Sequence, residues 1–113
     1  MGDRVLLQVV KKSPEEFSPV VYCHWLGGRG AIDAVTRLKA RMEGRSGDVP
    51  YATARLVQEV INSDNGNLSF GVWNAEKVLT AEDSHGDAGV ILVNADTFEM
   101  TFLGGYLPRG DGS

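Results

Sequence analysis

The sequence contains one cysteine, two histidines and four prolines among 113 residues, and it has no long apolar run. Its single cysteine, Cys23, has no partner for a disulfide within the chain, which is typical of proteins from the reducing cytoplasm. The apolar run from Val5 to Val10 is shorter than the core of a secretion signal and far shorter than a membrane span. We therefore expect a cytoplasmic protein without a membrane association.

Basic residues are outnumbered by acidic ones, 11 against 15, which gives a net charge of -4 and a pI near 5.0. This balance argues against broad nucleic-acid binding, which needs a basic face, but leaves room for a local basic patch. The hydrophobic share of 42% is ordinary for a globular protein. The length indicates one domain over residues 1–103, followed by a glycine-rich, flexible tail over 104–113.

Hydrophobic periodicity predicts an α+β domain with the element order ββααβββ. Such an order favours an antiparallel sheet of about five strands with two helices packed on one face. Asp48 is expected to cap the second helix, and Gly44 to end the first. A loop is expected over residues 11–16, and the segment 76–87 is either a loop or holds a short strand. The strands are predicted over 5–10, 20–25, 68–73, 89–93 and 98–102, and the helices over 31–43 and 49–62.

Alternation along the second strand places Val21, Cys23 and Trp25 on one face and Val20, Tyr22 and His24 on the other. The first set is more apolar, so we assign it to the core. The expected core consists of Val9, Val21, Trp25, Ile32, Val35, Leu38, Leu56, Val60, Phe70, Val72, Ile91, Phe98, Met100 and Phe102.

The turn between the second strand and the first helix is the leading candidate for a ligand site. It contains His24, Gly27, Gly28 and Arg29, and a glycine turn before a helix exposes backbone N–H groups to an anion. Arg29 would add a bidentate contact to a phosphate. Neither phosphate-loop motif is present, however. The alternative is a tight turn with Trp25 in the core.

Two further groups bear on catalysis or metal binding. His24, His85, Asp83 and Asp87 are residue types that serve acid–base chemistry or bind metals, but their spacing matches no known metal site, and a polar surface loop is the alternative. Cys23 and His24 are neighbours on a strand, so their side chains point to opposite faces and form no dyad. We expect no catalytic residue, no metal and no cofactor.

On the second helix, Tyr51, Arg55 and Glu59 share a face because they are four residues apart. The simplest expectation is a surface ion pair between Arg55 and Glu59. The alternative is that Tyr51 and Arg55 line an anion- or partner-binding surface together with Arg29.

The string from Val21 to Gly28, VYCHWLGG, resembles a strand and turn shared by small proteins of bacteriophages and other bacterial mobile elements. The likeness continues with Asp48, with the YATAR string that starts at Tyr51 and ends at Arg55, and with the FGV string at residues 70–72. It spans roughly 20–95 and departs from the shared pattern at Leu26, which separates the tryptophan from the glycines. The resemblance implies an accessory protein, of the phage or integron-cassette type, and implies no reaction.

Together these features favour a non-enzymatic binding or interaction module, with a protein partner or a small anionic ligand and with a homodimer as one form. The alternative is a small enzyme, or a nucleotide- or anion-binding protein, that uses the His24–Gly30 junction. Convergence of His24, Arg29 and Tyr51 on one pocket would favour that alternative.

Overall fold

The computed structural model describes residues 4–12, 15–24, 29–63, 70–84 and 86–107. Within them the chain has the predicted α+β fold, with two helices and a mostly antiparallel sheet of six strands. A short 3-10 helix, Ala81–Asp83, lies between the fourth and fifth strands. The strands are β1 (Val5–Lys12), β2 (Glu15–Phe17), β3 (Val20–Cys23), β4 (Phe70–Trp73), β5 (Gly89–Asn94) and β6 (Met100–Leu103), and the helices are α1 (Arg29–Arg41) and α2 (Val49–Ser63).

The sheet has the order β4-β3-β1-β5-β6, with β2 paired to the far end of β1. β1 and β3 form the predicted antiparallel hairpin, in which Leu6 lies opposite Tyr22. At the centre β1 and β5 run parallel, with Val5 opposite Gly89. The expected loop at 11–16 is wrong, because β1 continues to Lys12 and β2 pairs with it, Lys12 opposite Glu15. Opposite charges on facing strand residues stabilise that extension.

Both helices pack on one face of the sheet, as predicted. Leu38 and Leu56, on the apolar sides of α1 and α2, are fully buried with Leu7 of β1. The predicted cap of α2 is confirmed, whereas α1 ends at Arg41, three residues before Gly44. The Tyr51 backbone N–H donates to Asp48 Oδ1 at 3.1 Å at the start of α2, and Gly44, just past α1, has the positive φ of 82° that favours glycine.

The opposite face of the sheet is covered too, contrary to the expectation of a single core face. Val20 on this face is only 1% exposed, and it packs with Leu6, Leu79 and Val90. The covering segment, 74–84, holds no strand. It is fixed by the buried Gln8, whose amide donates to the carbonyl of Lys77 at 3.1 Å and whose Oε1 accepts the Leu79 N–H at 2.8 Å.

The structure corrects some residues of the expected core and confirms the others. Val72 is 49% exposed and lies outside the core, and Trp25 lies outside the described residues. Phe98 is buried as predicted, but it precedes β6 in a turn with a φ of 63°. The other predicted residues are buried or packed half-buried against the core: Val9, Val21, Ile32, Val35, Leu38, Leu56, Val60, Phe70, Ile91, Met100 and Phe102.

The chain after β6 turns back across the start of β5. Gly104 begins this segment with a φ of 68°. The Leu107 N–H donates to the carbonyl of Ala88 at 3.4 Å, and the Leu107 side chain is 5% exposed. Residues 108–113, the rest of the expected tail, lie outside the described residues.

Candidate functional site

A buried carboxylate joins the two helices. Glu59 on α2 is 2% exposed, and it accepts hydrogen bonds from two arginines of α1. Arg37 Nε donates to Glu59 Oε1 at 2.8 Å, and Arg41 Nε donates to Glu59 Oε2. The two arginine side chains are 47% and 46% exposed. One buried negative charge therefore holds two positive charges side by side at the surface.

The charge state of Glu59 follows from this arrangement. Burial acts to raise the pKa of the carboxyl, because it penalises the charged form. The hydrogen bonds from Arg37 and Arg41 outweigh burial, and the pKa of Glu59 lies below its usual range. The carboxylate is charged at neutral pH, and the group of three residues carries a net charge of +1.

Two more arginines surround Tyr51 at the start of α2. Arg55 donates to the Tyr51 hydroxyl from Nε at 3.1 Å and from Nη2 at 2.9 Å, and its Nη1 donates to Gln58 Oε1 at 2.7 Å. The Arg45 guanidinium lies 4.1 Å from the centre of the Tyr51 ring, in a cation–π contact. The hydrogen bond from Arg55 lowers the pKa of the Tyr51 hydroxyl below its usual value.

These four arginines line the outer junction of the helix pair, and we call them the arginine seam: Arg37, Arg41, Arg45 and Arg55. The α2 residues that they contact, Tyr51 to Glu59, extend over about 12 Å of helix. The carboxylates beside these four guanidinium charges are those of Glu59, which binds Arg37 and Arg41, and of Asp48, whose charge acts on Tyr51. The seam is thus a positive strip on a chain whose net charge is -4.

The sequence predicts part of the arginine seam. Tyr51 and Arg55 are brought together as expected, but the expected pair of Arg55 with Glu59 is wrong, because Glu59 is buried against α1. Arg37, Arg41 and Arg45 were missed. For Arg37 and Arg41 the signal is their spacing of four positions, which places both residues on one side of α1. Arg45 follows the end of α1, so helical spacing gives no signal for it.

The leading candidate, the His24–Gly30 junction, is only partly visible. Gly27 and Gly28 lie outside the described residues, and Arg29 begins α1 with its side chain undescribed. His24 Nδ1 shares a hydrogen bond of 2.8 Å with the Tyr22 hydroxyl, on the face of the sheet that the segment 74–84 covers. Tyr51 packs with the helices on the other face, so His24 and Tyr51 do not meet.

The residues considered for a metal or acid–base site are not brought together in the described part of the chain. Asp83 accepts hydrogen bonds from Lys77 at 2.9 Å and from the Thr80 N–H at 2.7 Å. Asp87 pairs with Arg4 at 2.8 Å, and this hydrogen bond lowers the pKa of its carboxyl. His85 lies outside the described residues, and those that are described include no cluster of three metal-binding side chains.

Cys23 is buried on the helix-covered face and forms no disulfide, as predicted for a small core residue. His24 lies with Tyr22 on the opposite face. Strand alternation thus separates the two side chains, which is the arrangement expected from the sequence.

Among the described residues, no helix has the length and apolar character needed to cross a bilayer. The sequence matches no protein-family model, and comparisons with curated proteins and with solved structures give no match. What the chain does must therefore be inferred from its own geometry and charge.

Proposed function

We propose that this chain is a non-enzymatic interaction module, a cytoplasmic accessory protein of a mobile element, and that it binds an acidic segment of a partner protein on the arginine seam. The observation that carries the proposal is the pair of half-exposed arginines, Arg37 and Arg41, held side by side by the buried Glu59. The resemblance of residues 20–95 to small proteins of bacteriophages and bacterial mobile elements supports the accessory role. Arginine is well suited to such a surface, because its planar guanidinium binds carboxylates through two parallel hydrogen bonds.

The shape of the arginine seam favours an extended acidic segment over a small anion. A single phosphate is usually enclosed by several donors that converge on one point. Here the guanidiniums are spread over about 12 Å of helix, which matches three to four residues of an extended peptide. Tyr51 adds a half-buried aromatic ring within the strip, and aromatic and arginine side chains are enriched at protein interfaces.

The test is a titration of the chain with a fluorescein-labelled peptide of ten glutamates, followed by fluorescence anisotropy at low salt. We expect saturable binding that weakens as salt is added, since exposed charges are screened. The variant Arg45→Gln with Arg55→Gln leaves the buried Glu59 pair intact. It should bind at least about fivefold more weakly, which corresponds to about 1 kcal/mol for the loss of the exposed Arg45 charge and the half-buried Arg55 charge.

The matched control is Lys12→Gln with Lys39→Gln, which removes the same charge from elsewhere on the surface. Lys39 is exposed on α1, two residues from both Arg37 and Arg41, and so projects from another side of the helix. This control should bind as the wild type does. Equal weakening in both double variants, or no binding to the wild type at low salt, would overturn the proposal.

Two further probes separate the partner classes. If a 20-base-pair DNA duplex binds more tightly than the peptide at equal salt, the partner of the arginine seam is nucleic acid and not an acidic protein. ATP is the second probe. If it binds the wild type and the Arg45/Arg55 variant equally but does not bind Arg29→Gln, the result favours the alternative ligand site at the His24–Gly30 junction.

A further inference from the structure

An exposed apolar strand forms one edge of the described sheet. β4, with the sequence Phe70-Gly71-Val72-Trp73, lies at the end of the strand order, and β3 is its neighbour. Val72 and Trp73 are 49% and 45% exposed, and they project from opposite faces of the sheet. Natural edge strands are usually protected by charges, proline or a bulge, and β4 contains no charged residue and no proline.

A notch lies beside the exposed tryptophan. Gly71 is opposite Tyr22, and Trp73 is opposite Val20, so both β4 residues belong to the sheet face away from the helices. The Trp73 ring leans toward Tyr22, with the ring centres 5.8 Å apart. A side chain added at Gly71 would meet no atom within 4 Å. The strand thus carries a projecting indole and an open position two residues apart on one face.

We propose that β4 pairs antiparallel with β4 of a second copy of this chain, with Val72 of each copy opposite Val72 of the other. Residues paired across such a two-fold axis must lie on the same face of the joined sheet. That requirement excludes registers that place an odd-numbered residue opposite an even-numbered one. In the proposed register, Trp73 of each copy stands opposite Gly71 of the other and covers its notch.

The second copy is favoured over an unrelated strand because the indole and the notch have the spacing that the two-fold axis requires. Glycine in a strand gains stability when an aromatic side chain opposite it covers the exposed backbone. The two-fold axis gives two such pairs, each made of Trp73 from one copy and Gly71 from the other, and Tyr22 flanks the notch on the inner side. Because β4 has only four residues, the interface is small, and we expect a weak dimer that forms as concentration rises.

Sedimentation velocity on the full chain between about 5 and 500 μM tests the assembly. We expect the wild type to shift from monomer to dimer within this range. Trp73→Ala should weaken the dimer at least about tenfold. The matched control is Ile61→Ala, which truncates another exposed apolar residue, 44% exposed on α2, and should leave the dimer unchanged.

Disulfide trapping tests the register. Oxidation of Val72→Cys should give a covalent dimer, because directly opposite residues on paired strands have Cα atoms about 4.5–5.5 Å apart, within disulfide range. Asn74→Cys should not cross-link, because the register separates the two copies of residue 74 by four positions, about 13 Å. Wild-type Cys23 is buried and serves as the background control.

Three results would overturn the proposal: a wild type that stays monomeric up to 500 μM, a dimer that Trp73→Ala and Ile61→Ala weaken equally, or cross-linking at Asn74 that matches cross-linking at Val72. Circular dichroism of each variant shows whether it is folded. Since Trp73 and Val72 are about half exposed, their replacement leaves the core in place.

Discussion

Replacement of the buried carboxylate, Glu59→Gln, separates the structural role of Glu59 from the binding role of the arginine seam. Glutamine keeps the size of the side chain but removes its charge. It also turns an N–H₂ group toward one of the two arginines, where the carboxylate offered an acceptor. The contact between α1 and α2 is therefore the part of the fold that the substitution weakens.

The magnitude follows from the two hydrogen bonds. A hydrogen bond to a charged group contributes about 1.5–3 kcal/mol to stability. The half exposure of Arg37 and Arg41 to water reduces that value, because both guanidiniums recover hydration when the carboxylate is lost. We expect Glu59→Gln to lower the free energy of unfolding by about 2 kcal/mol at pH 7. For a chain of this size that is a fall of about 8 °C in Tm.

The pH dependence of the free energy of unfolding provides a second check on the role of Glu59. Because the pKa of Glu59 is lower in the folded state than its unfolded value of about 4.3, its contribution is fully present above that value. The contribution is lost as the pH falls through the folded pKa. The gap between the wild type and Glu59→Gln should therefore be constant from pH 7 to 5 and should close in more acidic solution.

The assay is urea unfolding at several pH values, followed by circular dichroism. The matched control is Glu43→Gln, an exposed glutamate just past α1, which should change stability by less than about 0.5 kcal/mol. A Glu59→Gln variant as stable as the control at pH 7 would refute the argument. So would a gap between Glu59→Gln and the wild type that persists unchanged at pH 3.

Two other substitutions test how the sheet is covered and closed. Gln8→Leu removes the acceptor of the Leu79 N–H inside the protein. We expect the free energy of unfolding to fall by about 2–3 kcal/mol and hydrogen exchange at the Leu79 amide to become faster. Unchanged exchange there would contradict the role of Gln8. Gly105→Ala places a methyl group against the backbone of Ala88. It should lower Tm by more than Gly44→Ala, because Gly44 has a positive φ but open space around it. The reverse order in thermal unfolding would show that the close approach at Gly105 is relieved at little cost.

Much of the fold follows from local patterns in the sequence. The helices have apolar residues at helical spacing, Asp48 caps the start of α2, and Gly44 has the positive φ of a turn between the two helices. The hairpin of β1 and β3 follows from two short β-rich runs. These signals lie within windows of a few residues, where periodicity and capping chemistry are strongest.

The features that could not be predicted depend on contacts between distant residues. The loop expected at 11–16 is partly strand because Lys11 and Lys12 face Glu16 and Glu15, and the charge of that segment suggested solvent instead. The sequence pattern places Val20 on an open face of the sheet, because nothing local shows that the segment 74–84 crosses that face. The sequence pattern places Glu59 on the surface, because its two partners lie on the other helix.

The same dependence on contacts between distant residues decides how much of the candidate site could be predicted. Tyr51 and Arg55 are one turn apart on α2, so their contact is visible in the sequence. Arg45 reaches Tyr51 only because the chain reverses between the helices, and that reversal brings the arginines of α1 against α2. A helix pair has several possible rotations about its axes, and the sequence pattern alone does not select among them.

The parallel pair at the middle of the sheet has a consequence for the order in which the protein folds. β1 is complete by Lys12, but the strand that pairs with its second edge begins only at Gly89. During synthesis on the ribosome, the edge of β1 that faces away from β3 stays unpaired until nearly all of the described chain has emerged. Contacts between residues so far apart in sequence slow folding, and an open strand edge invites pairing with other chains. The nascent chain is therefore most exposed to aggregation, and most in need of chaperones, in the interval before β5 arrives.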